Sequence, residues 1–398
     1  MRTYMHYVQD HPDRARLVAI VEPDDIRRKA MADKFAIPLE RQYSDYKEYF
    51  KNPVPADVAF ICTPENKHYE PAILALEQGM HILLEKPVAQ TYDECLHIDR
   101  LAREKNRIVC VCHVLRYHPC FQKIKEIVDS GRFGKIISIT HTEDVGIDRQ
   151  THSYVRGSMN TERGNNPMIL AKCCHDIDFL VWISGAKCRR LASFGSLNMF
   201  RKENAPEASA ARCVDCSIEH DCPYSAVDLY WRRRQWINNF DVPVGKTIDD
   251  VISDQLHNGP FGRCVFRCDN DVVDNQVMIM QMEDNSLITL CMDIFTHRDG
   301  RSTDIKMSRG EIVSDGKKIR VTDFIARKSD VLDYTAEATQ PFHAGADLSI
   351  VENFINAVRG DRPVEQLTTI TESLESHLLC FEAERSRHSG YAVTPGKD

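Results

Sequence analysis

Short apolar runs alternate with amphipathic stretches along the first part of the chain. The run at residues 82–84 is too short for a helix, and continuous apolar runs of this kind are typical of buried parallel strands. Similar runs predict strands at residues 16–22, 58–62 and 107–112. The stretches between them predict helices at residues 1–10, 25–35, 69–78 and 92–105. This alternation indicates βαβ units and an α/β fold with a parallel, doubly wound sheet.

After residue 113 the pattern changes to consecutive strands joined by short turns. Residues 135–142 alternate between apolar and polar, as a half-buried strand does. Residues 276–282 and 286–292 flank a predicted hairpin turn at 283–285. Further strands are predicted at 305–313 and 318–321, with turns at 308–310 and 315–316. Helices are predicted at 121–130, 168–183, 347–358 and 367–387. We therefore divide the chain into a domain 1–113 and a second α+β domain 114–398.

The composition is that of a soluble globular protein: 42% of the 398 residues are hydrophobic and 28% are charged. The net charge is −8 without a long basic run, which argues against nucleic acid or an anionic membrane as a partner. No apolar run is long enough to span a bilayer and the N-terminus has no signal-peptide core, so we expect a cytoplasmic protein. The 15 scattered cysteines suit reduced thiols in that compartment.

Lys86 follows the apolar run 82–84 directly, within the sequence Glu85-Lys86-Pro87. Pro87 has no N–H group to donate to a sheet, so the strand is expected to end there. Lys86 is then a cation at the carboxyl end of a buried parallel strand, which is the edge where open α/β sheets bind ligands. The alternative is a solvated lysine in a turn.

Glu22 closes the predicted strand 16–22. In dinucleotide-binding folds an acidic residue at this position binds ribose hydroxyls, about 20 positions after a strand and a G-x-G-x-x-G turn. Counting back from Glu22 reaches Met1, so we expect the first strand and the glycine turn to be missing. A carboxylate repels a 2′-phosphate and favours NAD, although Arg27 and Arg28 leave NADP open. The alternative is a surface carboxylate.

Three motifs carry a resemblance to a known family. Thr63-Pro64 is followed by His68, Glu85-Lys86-Pro87 comes about 20 residues later, and His175-Asp176-Ile177-Asp178 lies in the second domain. Their order and spacing resemble the glucose–fructose oxidoreductase / inositol dehydrogenase (Gfo/Idh/MocA) family. The resemblance implies a Rossmann domain followed by a domain with a large, open, mostly antiparallel sheet. It also implies NAD or NADP, a sugar or polyol substrate, and a homodimer or homotetramer formed through the second sheet.

The same resemblance assigns roles to individual residues. It implies that Lys86 holds the reacting oxygen and that His175 accepts the substrate hydroxyl proton, which an imidazole with an ordinary pKa near 6.5 can do. The expected cofactor contacts are Glu22, Cys62, Thr63, Pro64, Asn66, His68, Glu85 and Lys86. The expected substrate contacts are Arg116, His152, Tyr154, Arg156, Lys172 and His175, with residues 152–157 read as a pocket loop or a surface loop.

The chain departs from the family at Ala171. Many members have an aspartate there, four residues before the histidine, and its loss removes a group that would orient the imidazole. Lys172 lies beside this position and is expected to supply a different function, such as a hydrogen bond to substrate. Asp176 and Asp178 are expected to brace the helix. The departure admits chemistry other than simple polyol dehydrogenation.

A long irregular segment, 198–260, contains Cys213-x2-Cys216-x5-Cys222-Pro223, and Cys264-x3-Cys268 follows it. Thiolates at such spacing bind zinc or, less often, an iron–sulfur cluster. We therefore note a structural zinc site at Cys213, Cys216 and Cys222, with free thiols as the alternative.

Together these features predict an NAD(P)-dependent oxidoreductase that transfers a hydride to or from a hydroxyl carbon of a sugar or sugar derivative. One alternative is an NAD-dependent glycosidase that acts by oxidation and elimination without net redox change. A further alternative is a non-enzymatic sugar- or nucleotide-binding regulatory protein, because the glycine turn is missing.

Overall fold

The computed structural model describes residues 3–297 and 299–397. Its first part consists of short parallel strands between helices. The strands are β1 (Ile20–Val21), β2 (Gln42–Tyr43), β3 (Val58–Ile61), β4 (His81–Leu84) and β5 (Val109–Val111). The helices are α1 (Met5–Asp10), α2 (Asp25–Phe35), α3 (Tyr46–Lys51), α4 (Tyr69–Glu77) and α5 (Tyr92–Glu104). Met1 and Arg2, part of the first predicted helix, lie outside the described residues.

All strand pairs of this part are parallel, which confirms the predicted α/β arrangement. Strands β3, β4 and β5 form one sheet and β1 and β2 another, and among the described residues no strand joins them. The apolar run of β4 is fully buried, as its continuous pattern predicts. The predicted strand 16–22 shortens to β1, since residues 16–19 have no strand partner.

The second part is built on a mixed sheet. Its strands are β6 (Ile136–Asp144), β7 (Cys188–Ser196), β8 (Asn275–Met282), β9 (Leu287–Asp293), β10 (Gly300–Met307), β11 (Gly310–Ser314), β12 (Lys318–Asp323) and β13 (Lys328–Asp333). The helices are α6 (Pro119–Asp129), α7 (Ile147–Arg149), α8 (Met168–Ala171), α9 (Cys174–Ser184), α10 (Ile248–His257), α11 (Thr335–Ala338), α12 (Pro341–Ala344), α13 (Ala346–Val358) and α14 (Ile370–Ser389).

These eight strands lie in the order β13-β12-β11-β10-β6-β9-β8-β7. Among the described pairs of this eight-stranded sheet, only β6–β9 is parallel, so the expected mostly antiparallel sheet is confirmed. The predicted turn at 308–310 is confirmed, because it separates β10 from β11. The predicted helix 168–183 is divided into α8 and α9. Neither β7 nor β13 was predicted, and the residues of β13 are polar and mostly exposed.

The two parts are interwoven near the end of the chain. Helix α13 contributes Ile350 and Phe354 to the apolar core that also contains Leu83 of β4. The N–H group of Val111 donates to the carbonyl oxygen of Thr368 at 2.7 Å, which covers the free edge of β5. The boundary at residue 113 therefore divides the sequence pattern, but residues beyond it also belong to the core of the first part. No helix among the described residues is long and apolar enough to cross a membrane.

Candidate active site

The ends of the parallel strands bring the predicted chemical residues together. Thr63 and Pro64 follow β3, Glu85 and Lys86 follow β4, and His113 follows β5. Because carboxyl ends of neighbouring parallel strands lie at one edge, these residues line the edge where such sheets bind ligands. Both ring nitrogens of His113 are buried without a hydrogen-bond partner.

Lys86 is held by the second domain. Its Nζ donates to the carbonyl oxygen of Ala171 at 2.6 Å and lies 3.8 Å from Oε1 of Glu65. Burial disfavours the ammonium, but the neighbouring Cys174 and Glu65 groups more than offset this and raise the pKa of Lys86. Lys86 is therefore a charged hydrogen-bond donor at neutral pH and not a base.

Glu65 was not singled out in the sequence. Its carboxylate is buried and accepts a hydrogen bond from Nδ2 of Asn166 at 3.1 Å and a longer one from Asn165 at 3.4 Å. On the other side of Lys86, Glu85 accepts from the phenol of Tyr4 at 2.5 Å. The lysine thus lies between two oriented carboxylates.

His175 lies in the first turn of α9, directly after the break that separates α8 from α9. Its ring packs edge-on against His113 with 5.7 Å between centroids, and its Nδ1 is buried without a hydrogen-bond partner. Burial, followed by the charges of Lys86 and His113, lowers the pKa of His175 well below its ordinary value. The imidazole is therefore neutral at physiological pH and able to accept a proton.

The side chain of Lys172 is buried and is part of an ionic network. Its Nζ lies 2.6 Å from Oε1 of Glu143 and 3.8 Å from Oδ1 of Asp299. Burial lowers the pKa of Lys172, and burial raises the pKa of Glu143 to about 7. The shift of Glu143 brings its carboxyl group into the range where proton exchange is possible near neutral pH.

Glu143 and Arg301 were missed in the sequence. Arg301 is the direct partner of Glu143 in the β6–β10 register, and its guanidinium contacts that carboxylate at 2.9 Å. A signal was present: Ile139, His141 and Glu143 alternate along β6 and are all buried. Polar residues at the buried positions of a strand, such as His141 and Glu143, therefore indicate a buried ionic network.

The two aspartates after His175 brace the helix, as expected. Asp176 accepts from Nε of Arg301 at 2.6 Å and lies 3.0 Å from Nε2 of His141. Asp178 forms two hydrogen bonds of 2.7 Å with Arg116. The guanidinium of Arg116 is thus paired with Asp178, and its predicted substrate contact stays a prediction.

The predicted pocket loop is a buried π-helical segment, Gln150–Arg156. His152 is stacked on Phe261 at 4.7 Å and its Nδ1 lies 3.0 Å from the hydroxyl of Tyr230. Arg156 is directed towards Cys213 and the carbonyl oxygens of Tyr224 and Arg263. Both side chains are buried against protein partners, and the predicted substrate contacts of His152 and Arg156 stay predictions.

Tyr154 is the member of that segment that faces the lysine. It is buried, and burial raises its pKa, although the charges of Arg149 and Lys86 oppose this. Its phenol is thus a neutral hydroxyl close to Lys86, as the predicted substrate contact requires.

The other predicted cofactor residues fix the strand-end loops. His68 is buried with its ring nitrogens 2.7 Å from the carbonyl oxygen of Pro87 and 3.0 Å from that of Thr63. The hydroxyl of Thr63 donates to the carbonyl oxygen of Lys67, and Asn66 donates to that of Gly164. His68 therefore connects the loop after β3 to the loop after β4. Cys62 and Pro64 lie in the loop after β3.

The two ends of a dinucleotide fit this edge. Partly exposed Glu22 follows β1 and accepts from the N–H group of Asp24 at 3.0 Å, where a ribose is expected. A nicotinamide is expected at the other end. There, buried ring nitrogens of His113 and His175 have no hydrogen-bond partner. The first glycine of the sequence is Gly79.

The cysteines of the irregular segment lie near each other. Cys213, Cys216, Cys222 and also Cys264 line one small cavity. Among the described residues, no three of these sulfur atoms lie within 4.8 Å of one another. This spacing gives the expected zinc ion no support.

Comparisons with known proteins agree with this geometry. Residues 1–113 match the model of the Gfo/Idh/MocA oxidoreductase family, NAD-binding Rossmann fold. The chain is 26% identical over 184 residues to 1-carboxy-3-chloro-3,4-dihydroxycyclo hexa-1,5-diene dehydrogenase of Comamonas testosteroni, which covers 46% of this chain and 44% of that protein. It is 25% identical over 171 residues to 2,7-anhydro-N-acetylneuraminate hydratase of Mediterraneibacter gnavus, which covers 43% of each. These matches span less than half the length of the curated relatives.

Among solved structures, the WlbA dehydrogenase from Bordetella pertussis in complex with NADH and UDP-GlcNAcA has a TM-score of 0.69 at 17% identity. That likeness covers 100% of this chain and 95% of the other and shows the fold. The first 113 residues therefore match the NAD-binding Rossmann domain of the Gfo/Idh/MocA oxidoreductase family.

Proposed function

We propose that this protein is an NAD-dependent oxidoreductase that transfers a hydride to or from a hydroxyl-bearing carbon of a sugar or sugar derivative. The observation that carries the proposal is the convergence of charged Lys86 with neutral His175 at the carboxyl edge of the parallel sheet. The names of the Comamonas and Bordetella relatives support a dehydrogenase, and the second includes a sugar nucleotide.

Bound NAD supplies the hydride acceptor at this edge. Lys86 holds the substrate oxygen by a charged hydrogen bond, since its raised pKa keeps the ammonium protonated. His175 takes the hydroxyl proton, which its neutral ring can do at physiological pH. The carbonyl oxygen of Ala171 accepts a hydrogen bond from Lys86, and the buried phenol of Tyr154 lies within reach of the charge of Lys86. Glu22 favours NAD over NADP because a carboxylate repels a 2′-phosphate.

A specific observation favours a second candidate, oxidation followed by elimination. The Lys172–Glu143 pair offers a second proton-exchanging group besides His175. Such a group removes the acidified proton beside a carbonyl, after which a leaving group departs. The Mediterraneibacter relative is named a hydratase, which supports this reaction class. Release of free sugar without net NADH would distinguish it from simple dehydrogenation.

The same proposal includes a homodimer or homotetramer formed through the second sheet. Ile137, Phe194, Ile279 and Leu287 lie on β6, β7, β8 and β9 and are 46–63% exposed. Neighbouring strands carry these side chains, so together they form an apolar surface of the kind that partners cover. Sedimentation of the purified chain, with Phe194→Asp as the disrupting variant, tests this assembly.

Cofactor binding and turnover test the proposed function. Thermal unfolding of the chain is measured with NAD and with NADP, because a ligand at about 100 times its Kd adds roughly 2.7 kcal/mol to stability. Absorbance of the reduced cofactor is then followed with sugars, polyols and sugar acids. A shift with NAD and turnover of one substrate class support the proposal. Absence of any shift with either dinucleotide would exclude it.

A further inference from the structure

Two arginines follow Glu22 at the cofactor edge, and both side chains have partners. Arg27 and Arg28 lie in the first turn of α2. In NADP-binding domains an arginine near this position accommodates the 2′-phosphate. The guanidinium of Arg28 turns back on its own loop, where it donates to the carbonyl oxygen of Glu22 at 2.6 Å and contacts Asp25. Arg28 is therefore held within the loop that carries Glu22.

Arg27 has a partner from a distant part of the chain. Its Nε donates to Oδ2 of Asp241 at 2.8 Å, and its NH2 donates to the same oxygen. Asp241 lies 214 positions later, in the irregular segment 198–260. The hydrogen bond to Asp241 raises the pKa of Arg27 against the effect of burial, and the charge of Glu22 acts in the same direction. The guanidinium thus interacts with two carboxylates, one at the cofactor edge and one from the irregular segment.

The position of Asp241 is fixed by its neighbour Phe240. The ring of Phe240 packs against Tyr230 with 5.5 Å between centroids and against Phe261 with 5.1 Å. Tyr230 is fully buried in the apolar core of this segment. Asp241 therefore reaches α2 from a packed base, and only 22% of its side chain is exposed.

These contacts determine which charges a dinucleotide meets beside Glu22. Arg27 is paired with Asp241. Arg28 is paired with Asp25. A 2′-phosphate would meet the carboxylate of Glu22 and would have to displace Asp241 before it could bind Arg27. NAD has no phosphate at this position, and its ribose hydroxyls need only an acceptor such as Glu22.

We propose that Asp241 is a specificity-determining residue, which holds Arg27 away from a 2′-phosphate and thereby reserves the cofactor edge for NAD. The inference rests on the proposed function, since it concerns the cofactor of that reaction. Glu22 acts by repelling the phosphate, and Asp241 acts by occupying the cation that would otherwise attract it. The irregular segment 198–260 thus takes part in the choice of cofactor made by the first domain.

The test compares the dissociation constants of NAD and NADP, measured by titration calorimetry on the full chain. Asp241→Asn removes the charge and keeps the volume, and the fold should stay intact because partly exposed ion pairs contribute little to stability. We expect the Kd of NADP to fall at least about 10-fold, the smallest gain that one charged hydrogen bond gives. The Kd of NAD should stay the same. Asp249→Asn is the matched control, since Asp249 pairs with Arg234 at 2.6 Å in the same segment; it should change neither constant.

A double variant, Arg27→Gln with Asp241→Asn, separates a released guanidinium from a general loss of negative charge. Its affinity for NADP should return to the wild-type value, because the gain requires Arg27. An equal gain in the double variant overturns the proposal. So does an unchanged Kd of NADP in Asp241→Asn, and the proposed function still stands if the wild type binds NAD.

A wild type that binds neither dinucleotide would remove the proposed function and this proposal together. If Asp241→Asn does not fold, Asp241→Ser takes its place with the same expected gain. An unchanged Kd of NADP in Asp241→Ser would overturn the proposal in the same way.

Discussion

The ammonium of Lys86 donates to the carbonyl oxygen of Ala171 at 2.6 Å. Ala171 ends α8, and the last carbonyls of a helix have no partner within it, so this oxygen is free to accept. The family's aspartate is absent at this position, yet the backbone still provides an anchor for the lysine. Lys86 is thus oriented by a main-chain oxygen atom. A substitution of the side chain at residue 171 does not remove that atom.

Replacement of Lys86 by methionine should abolish most turnover and leave the fold intact. The stem keeps its volume, while the charged donor to the substrate oxygen is lost, an effect of roughly 10²- to 10³-fold on kcat. Lys67→Met is the matched control, since Lys67 is exposed on the preceding loop. Steady-state kinetics and thermal unfolding of both variants check this, and equal activity in the two would contradict the assignment.

His175→Asn should lower kcat by roughly 10²- to 10⁴-fold, because the general base is removed. The lowered pKa of His175 means that its neutral form persists below pH 6.5, so wild-type activity should fall only at more acidic pH. The measurement is the acid limb of kcat/KM. If Lys172→Met and not His175→Asn eliminates that limb, Lys172 is the base.

Glu143→Gln should lower the pKa of Lys172 further. The Glu143 carboxylate raises that pKa against the effect of burial, and the amide does not. The basic limb of the pH–rate profile should therefore move to lower pH, while Arg301 retains Asp176 as its partner. Asp299→Asn is the comparison, because its longer 3.8 Å contact predicts a smaller displacement. An unchanged basic limb in Glu143→Gln would exclude Lys172 as the titrating group.

His152→Phe should change the acid stability of the fold. Burial, with Arg156 and Arg149, lowers the pKa of His152 from 6.5 to about 4. The unfolded chain therefore binds a proton that the folded chain does not, and stability is lost as pH falls from 6.5 to 4, by about 3 kcal/mol at most.

Phenylalanine cannot titrate but loses the bond to Tyr230, which costs about 1 kcal/mol. The variant should be less stable than wild type at pH 7 and more stable at pH 4. Urea unfolding at both pH values measures this. Exposed His257→Gln should show no such crossing.

Phe354→Ala should destabilise the first domain from the far end of the sequence. Phe354 is fully buried in the core shared with β4, and such truncations cost about 3–5 kcal/mol. Weaker NAD binding should accompany the loss. Ile325→Ala, which is 75% exposed, should change stability by less than about 0.5 kcal/mol. Equal unfolding free energies of the two variants would show that α13 does not support the sheet.

The sequence pattern predicted those helices and strands in which the local preferences of the residues agree with their tertiary contacts. Helix α2 begins and ends at the predicted residues because Asp24 caps it and Ala36 adopts a left-handed conformation after it. The apolar run of β4 is buried on both faces, so its length and its end before Glu85-Lys86-Pro87 could be predicted directly.

Other features depend on contacts that no local pattern contains. His152 and Arg156 look like polar loop residues, yet both are buried by partners more than 50 residues away. The break between α8 and α9 follows an apolar stretch with no proline or glycine, and it places Lys172 at Glu143 while His175 faces Lys86. The resemblance identified His175, but only the fold revealed Glu143 and Arg301.

The hydrogen bond from Val111 to Thr368 has a consequence for synthesis of the chain. During translation the edge of β5 has no cover until the residues after 368 have left the ribosome, more than 250 positions later. An uncovered edge strand is a template for pairing with other chains. We therefore expect the nascent first domain to stay incompletely assembled until the last helices have been synthesised. A fragment that stops at residue 113 should aggregate instead of folding.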